Sequence, residues 1–253
     1  VGFVQGLHPS TADITNMDAK PLFVFPRWSN KAVMGLVVCL LILPFYAAAF
    51  IGYALDPVTL NSNYQPKQPI AYSHAQHVGE LGMDCRYCHN TVEHAGFAAV
   101  PPTETCMNCH KAIRPNSDKL QALRDSYGTG DPALAGKPIP WNRVHMLPDY
   151  VYFNHAAHVN ASVSCVECHG NINRMDNVFQ TQPLNMAWCL QCHREPESKL
   201  RPLDQVTNLE WQPDVISGTY ADMTIPQARA ELGKKLKEQY HVNPNTDCVT
   251  CHR

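Results

Sequence analysis

The sequence Cys-x-x-Cys-His occurs five times: Cys85-Arg-Tyr-Cys88-His89, Cys106-Met-Asn-Cys109-His110, Cys165-Val-Glu-Cys168-His169, Cys189-Leu-Gln-Cys192-His193 and Cys248-Val-Thr-Cys251-His252. On one turn of helix, two thiols three residues apart lie on the same side. There they can add to the two vinyl groups of one porphyrin, and the following His falls under the iron as its proximal ligand. The expectation is five covalently bound haem c groups, with His89, His110, His169, His193 and His252 as proximal ligands. Two other chemistries use Cys-x-x-Cys. Zinc ribbons pair two such knuckles around one ion and need no His after each. Five is an odd number for pairing, and every unit carries the His. A redox dithiol is a single unit near a βαβ pattern, which is absent from this sequence.

The motifs take ten of the 11 cysteines. Cys39 lies in an apolar run without a partner, so no disulfide framework is available. Only 45% of the residues are hydrophobic, and there are 20 Pro and 13 Gly among 253 residues. Such a chain buries a large side-chain core with difficulty. The expected fold is short α-helices and irregular segments wrapped around five haems, with one N-terminal transmembrane helix. Formal charge is −2, which leaves no basic footprint for nucleic acid. Haem propionates would add negative charge suited to a basic partner surface.

Ala32 to Leu55 contains no charged residue. As a helix it would be about 36 Å long, enough to cross a hydrocarbon core of about 30 Å. Pro44 is tolerable in such a helix. Lys20, Arg27 and Lys31 precede the run and Asp56 follows it. The positive-inside rule then places the N-terminus in the cytoplasm and everything after Asp56 outside. Ala47-Ala48-Ala49 resembles a signal-peptide cleavage site, but the polar leader is long and the apolar run continues past it. The expected organisation is a cytoplasmic segment 1–30, an anchor 31–55, a linker 56–69 and an outer haem domain 70–253.

That domain contains a repeat. Tyr72-Ser-His74-Ala-Gln-His77 precedes Cys85 as Phe153-Asn-His155-Ala-Ala-His158 precedes Cys165. In each copy a second motif follows a Pro-containing loop. Two di-haem modules, 70–115 and 150–195, are expected, with the fifth haem at 248–252. A short helix is expected from Ser117 to Ser126. Thr224 and Gln227 form a capping-box pattern ahead of Ala228, Leu232 and Leu236, which suggests an amphipathic helix ending near Tyr240.

Eight His remain as candidate distal ligands: His8, His74, His77, His94, His145, His155, His158 and His241. His8 falls before the span, on the wrong side. The two His-x-x-His pairs rank first, because residues three apart on a helix share a face and can serve two haems. His145, boxed by Trp141 and Pro148, would complete five bis-His sites. His94 and His241 rank lower. Met186, three residues before Cys189, is a candidate alternative ligand whose thioether would raise the potential of its haem. By analogy with small multihaem cytochromes, His74 pairs with His89 and His155 with His169. The sequence leaves open which haems His77 and His158 serve.

The order of one span, Tyr72-Ser-His-x-x-His, Pro101-Pro-Thr-x-Thr-Cys, Trp141-Asn-Arg-Val-His and Pro183-Leu-Asn-Met-x-Trp resembles the pentahaem cytochrome c subunit of alternative complex III, a bacterial quinol:electron-acceptor oxidoreductase. The resemblance covers 31–253, most densely 70–195. It implies an integral quinol-binding subunit, an iron–sulfur subunit and a monohaem cytochrome c as partners. It also implies a periplasmic carrier or terminal oxidase as acceptor. Resemblance to c-type cytochromes further implies that the haem domain lies on the periplasmic side of the bacterial inner membrane.

The first functional reading is an electron relay that is not catalytic alone, since six-coordinate haems have both axial sites filled. A second is a small multihaem quinol dehydrogenase, which would place a haem motif almost directly after its span. A third is a multihaem reductase with one open, five-coordinate haem.

Overall fold

The computed structural model describes residues 25–54 and 62–252. His8, Asp56, Arg253, most of the expected cytoplasmic segment and the first part of the expected linker lie outside them. The chain divides into two compact units between Ala54 and Leu55.

The first unit contains helix α1, Arg27–Ala54. It begins four residues before the expected anchor and includes Lys31 and Pro44 without interruption. A charged residue near a helix terminus costs little when it is exposed. No side chain of α1 is buried, and the mean hydropathy of 2.5 over its most apolar 18 residues fits a helix able to cross a membrane. At 28 residues it is about 42 Å long. Length and composition fit a membrane anchor or a signal sequence alike.

The second unit has eight α-helices among its described residues: α2 Cys85–Cys88, α3 Thr103–His110, α4 Gln121–Tyr127, α5 His155–Asn160, α6 Cys165–His169, α7 Met186–Arg194, α8 Ile225–Gln239 and α9 Cys248–Cys251. Short 3-10 turns and loops join them. The only β pairing among the described residues is two isolated bridges, Val151 to His252 and Val163 to Leu200. A 3-10 turn at Asp118–Leu120 runs into α4 where the short helix was expected.

Each Cys-x-x-Cys-His begins on a helical turn that the sequence starts locally. Asp84 caps α2, its carboxylate accepting from the Arg86 amide at 2.8 Å. Asn185 caps α7, accepting from the Trp188 amide at 2.8 Å. After His169, Gly170 adopts φ +67°, and a Cβ there would press on Thr181. Glycine thus ends α6 directly behind the histidine.

Side-chain cores are small. Ile70, Met107 and Leu123 form one cluster, with Trp141 against it. Leu200, Leu236 and Val242 form another, with Leu232 and Tyr240. The second cluster is held by α8, whose capping box between Thr224 and Gln227 is complete. The Lys face of α8 is not only solvated: Lys237 pairs with Glu197 at 2.6 Å.

Candidate haem-binding site

The two His-x-x-His segments fold in closely matched ways. Tyr72 stacks on His77 at 4.5 Å and meets His74 edge-on at 4.8 Å. Phe153 stacks on His158 at 4.4 Å and meets His155 edge-on at 4.8 Å. Nδ1 of His77 bonds the Ser73 carbonyl at 2.8 Å, and Nδ1 of His158 bonds the Asn154 carbonyl at 2.8 Å. The backbone carriers differ, since His74 opens a π-helical turn over Ala75–Glu80 whereas His155 and His158 lie on α5. The aromatic two residues before each first His is the orienting element that sequence reasoning missed. Its signal was present in both copies of the repeat.

A carbonyl can only accept, so each of these Nδ1 atoms carries the proton and the lone pair falls on Nε2. The same holds for His155 to Gly96 at 2.9 Å, His89 to Ala99 at 2.8 Å, His110 to Ile113 at 3.1 Å and His193 to Asn245 at 2.7 Å. Metal-bound imidazoles are commonly oriented in this manner by an acceptor on the other nitrogen.

Three histidine pairs face one another across a gap. Ring centres lie 6.2 Å apart for His77 and His110, 6.4 Å for His155 and His169, and 6.0 Å for His158 and His193. A ligating imidazole nitrogen sits about 2 Å from its metal, and its ring centre roughly 1 Å farther out. Two rings on opposite faces of one metal are therefore about 6 Å apart. His74 lies within electrostatic reach of His89. Burial, the largest cause in each case, holds His74 and His145 down at about 4 and His169 at about 3. These rings are neutral at ordinary pH, which is the form that binds a metal.

His145 meets His169 edge-on at 4.4 Å, and its Nε2 is buried without a hydrogen-bond partner. The ring beside His252 is Tyr150, at 5.8 Å. His94 and His241 are exposed, and Met186 is 60% exposed at the start of α7.

The cysteine pairs occupy one turn each. Burial pushes the Cys168 thiol up to about 12 and also raises Cys88, Cys106, Cys189 and Cys192. These five thiols are raised, the opposite of the depressed thiol that dithiol catalysis uses, whereas the neighbouring Cys165 thiol lowers Cys85. Among the described residues, no three His, Cys, Asp or Glu side chains converge as a metal centre would require. The residues present fit a covalently attached haem: thiol pairs on single turns, a histidine after each, and opposed imidazoles aimed by backbone carbonyls.

Between the cysteines of the third motif, Glu167 receives Lys199 at 3.1 Å, Arg201 at 3.4 Å and Arg229 at 3.7 Å. The Arg201 side chain is 1% exposed. Its pairing was not legible from the motif.

A fold of short helices around repeated Cys-x-x-Cys-His turns defines a cytochrome c with several haems. The family model described as "Cytochrome c7 and related cytochrome c" matches residues 151–253, which include the last three motifs. A relative from Nitratidesulfovibrio vulgaris, "Menaquinone reductase, multiheme cytochrome c subunit", is 33% identical over 173 residues, covering 67% of this chain and 77% of the relative. The chain belongs to the multihaem cytochromes c, and its cofactor is covalently bound haem c.

Proposed function

We propose that this chain is a membrane-anchored pentahaem cytochrome c that relays electrons within a quinone-linked membrane complex. The observation that carries the reading is the set of three opposed imidazole pairs at 6.0–6.4 Å. Haem, when bound, supplies a one-electron iron couple. Where such a pair held a haem between its rings, no position would remain there for a substrate. The residues' task is to fix the rings: carbonyls aim His77, His110, His155, His158 and His193, and Tyr72 and Phe153 hold the paired rings in plane.

The proposed covalent sites are the ten motif cysteines. The proposed axial pairs are His74 with His89, His77 with His110, His155 with His169 and His158 with His193. The relative's membership of a menaquinone reductase supports assembly with other subunits. The resemblance to alternative complex III supports an integral quinol-binding subunit, an iron–sulfur subunit and a monohaem cytochrome as those partners. The exposed apolar α1 supports retention as an anchor, with the haem domain on the periplasmic side.

An open haem at the fifth motif is a second reading, which rests on one observation: Tyr150, not a histidine, is the ring beside His252.

Three measurements test these statements. An alkaline pyridine spectrum and the mass of the denatured chain should give five haems per polypeptide. A mass equal to the bare chain would refute the relay. Gentle detergent purification should bring partner subunits with it, and a monodisperse lone chain would count against the complex. A resting spectrum without high-spin signal, unchanged by nitrite, would exclude the open fifth site.

A further inference from the structure

The chain does not visit its five motifs in the order in which they lie in space. The second motif sits by the first. His77, which belongs to the segment leading into the first motif, faces His110 of the second at 6.2 Å. Asn108 donates to the Tyr87 hydroxyl at 3.5 Å, and these residues lie inside the two motifs. Cys88 is a close electrostatic neighbour of both Cys106 and Cys109.

The first motif's other neighbour is the third. The Cys85 and Cys165 side chains are close electrostatic neighbours. The loop after the first motif grips the start of α5: the His155 and Ala156 amides donate to the Gly96 and Ala95 carbonyls, each at 3.1 Å. Through α5 the third motif reaches the fourth, since His155 faces His169 while His158, one turn on, faces His193. Cys168 is an electrostatic neighbour of Cys189 and Cys192. The fourth motif reaches the fifth, with His193 bonded to the Asn245 carbonyl at 2.7 Å, three residues before Cys248. Cys189 neighbours Cys251.

Each end motif has one exposed cysteine, although Met107 inside the second motif is buried. Cys109 of the second motif and Cys248 of the fifth are exposed, whereas all six cysteines of the first, third and fourth motifs are half-buried. Val249, inside the fifth motif, is 77% exposed.

We infer that the haem sites form a single row in the order second, first, third, fourth, fifth, with the sites of His110 and His252 at its two ends. This rests on the proposed relay and adds the path that electrons take through the fold. One electron enters at one end from an external one-electron donor for each that leaves at the other to an external acceptor. Every electron passing between the two di-haem modules crosses the contact where Cys85 meets Cys165. The second and fifth motifs are accordingly the two surfaces to which redox partners dock.

The experiment is to locate the irons in the full, detergent-purified holoprotein, by single-particle cryo-microscopy or by anomalous scattering at the iron edge. Expected nearest neighbours are the irons of His110 and His89, of His89 and His169, of His169 and His193, and of His193 and His252. Five irons in any other sequence, for example the His110 iron nearer that of His169 than that of His89, would overturn the order while leaving the relay standing. Fewer than five irons would overturn both.

Discussion

The imidazoles of His155 and His169 lie 6.4 Å apart between centres, with planes 10° from parallel. One ring opens α5 and the other ends α6, and the backbone returns between them through Ser162, whose φ is +66°. If this pair clasps one iron, His155→Ala should convert one low-spin site to high-spin, read as a new high-spin ferric signal in the electron paramagnetic resonance spectrum. His155→Met should keep the site six-coordinate and raise one midpoint potential. An unchanged spectrum and titration in both variants would remove His155 from the ligand set.

Among the described residues, Glu167 is the one carboxylate within 4 Å of Arg201, Lys199 and Arg229. Arg201 also donates to the Asn208 carbonyl at 2.8 Å and lies over Trp211 at 5.5 Å. Removing one partner from a buried ion pair costs about 3–5 kcal/mol. Glu167→Gln should therefore lower unfolding stability by about that amount. Arg201→Met should cost less, since Lys199 and Arg229 remain for the carboxylate. Chemical denaturation followed by circular dichroism checks both, and equal losses would contradict this account.

What the sequence made legible is what short spacing determines. The cysteine and histidine positions, the α8 capping box and the apolar helix α1 each depend on residues within a few positions of one another. α1 begins four residues before the expected anchor, because an exposed helix end accepts Arg27 and Lys31. Pairings across the chain were not legible. His77 and His110 are 33 positions apart, and His158 and His193 are 35 apart. Which ring meets which depends on how the loops at 96 and 245 return. His145 illustrates the limit: its box of Trp141 and Pro148 makes it a candidate ligand, yet only the folded chain sets it beside His169 and sets Tyr150 beside His252.

Asp84 joins a helix cap to an ion pair. Its carboxylate caps α2 and binds Arg86 at 2.9 Å, and Thr207 donates to it at 3.1 Å. The Arg86 side chain, the largest cause, holds the carboxyl down at about 2. A carboxyl lower in the folded than in the unfolded chain stabilises the fold above its unfolded value of about 3.9, and that contribution disappears as pH falls toward 2. Asp84→Asn keeps a cap acceptor but loses the charge. It should be less stable than the parent at pH 6 and converge on it near pH 2, as followed by denaturant midpoints. No gap at either pH would assign the role of Asp84 to the cap alone. Asp84→Ala should lose about 1 kcal/mol more.

Gly233 sits mid-helix in α8, where glycine costs about 1 kcal/mol relative to alanine. By propensity alone, Gly233→Ala should stabilise. The structure reverses the sign. A Cβ at Gly233 would collide with the backbone carbonyl of Glu197, on the 3-10 turn Glu197–Lys199. That is main chain, which cannot rotate aside. This close approach lets Leu236 reach Leu200 and lets Lys237 pair with Glu197. Forcing the two segments apart should cost about 1–3 kcal/mol net, as overpacking does. The thermal midpoint should fall in Gly233→Ala, while a neighbouring exposed substitution such as Lys234→Ala leaves it nearly unchanged. A midpoint raised by Gly233→Ala would mean that α8 does not rest on that turn.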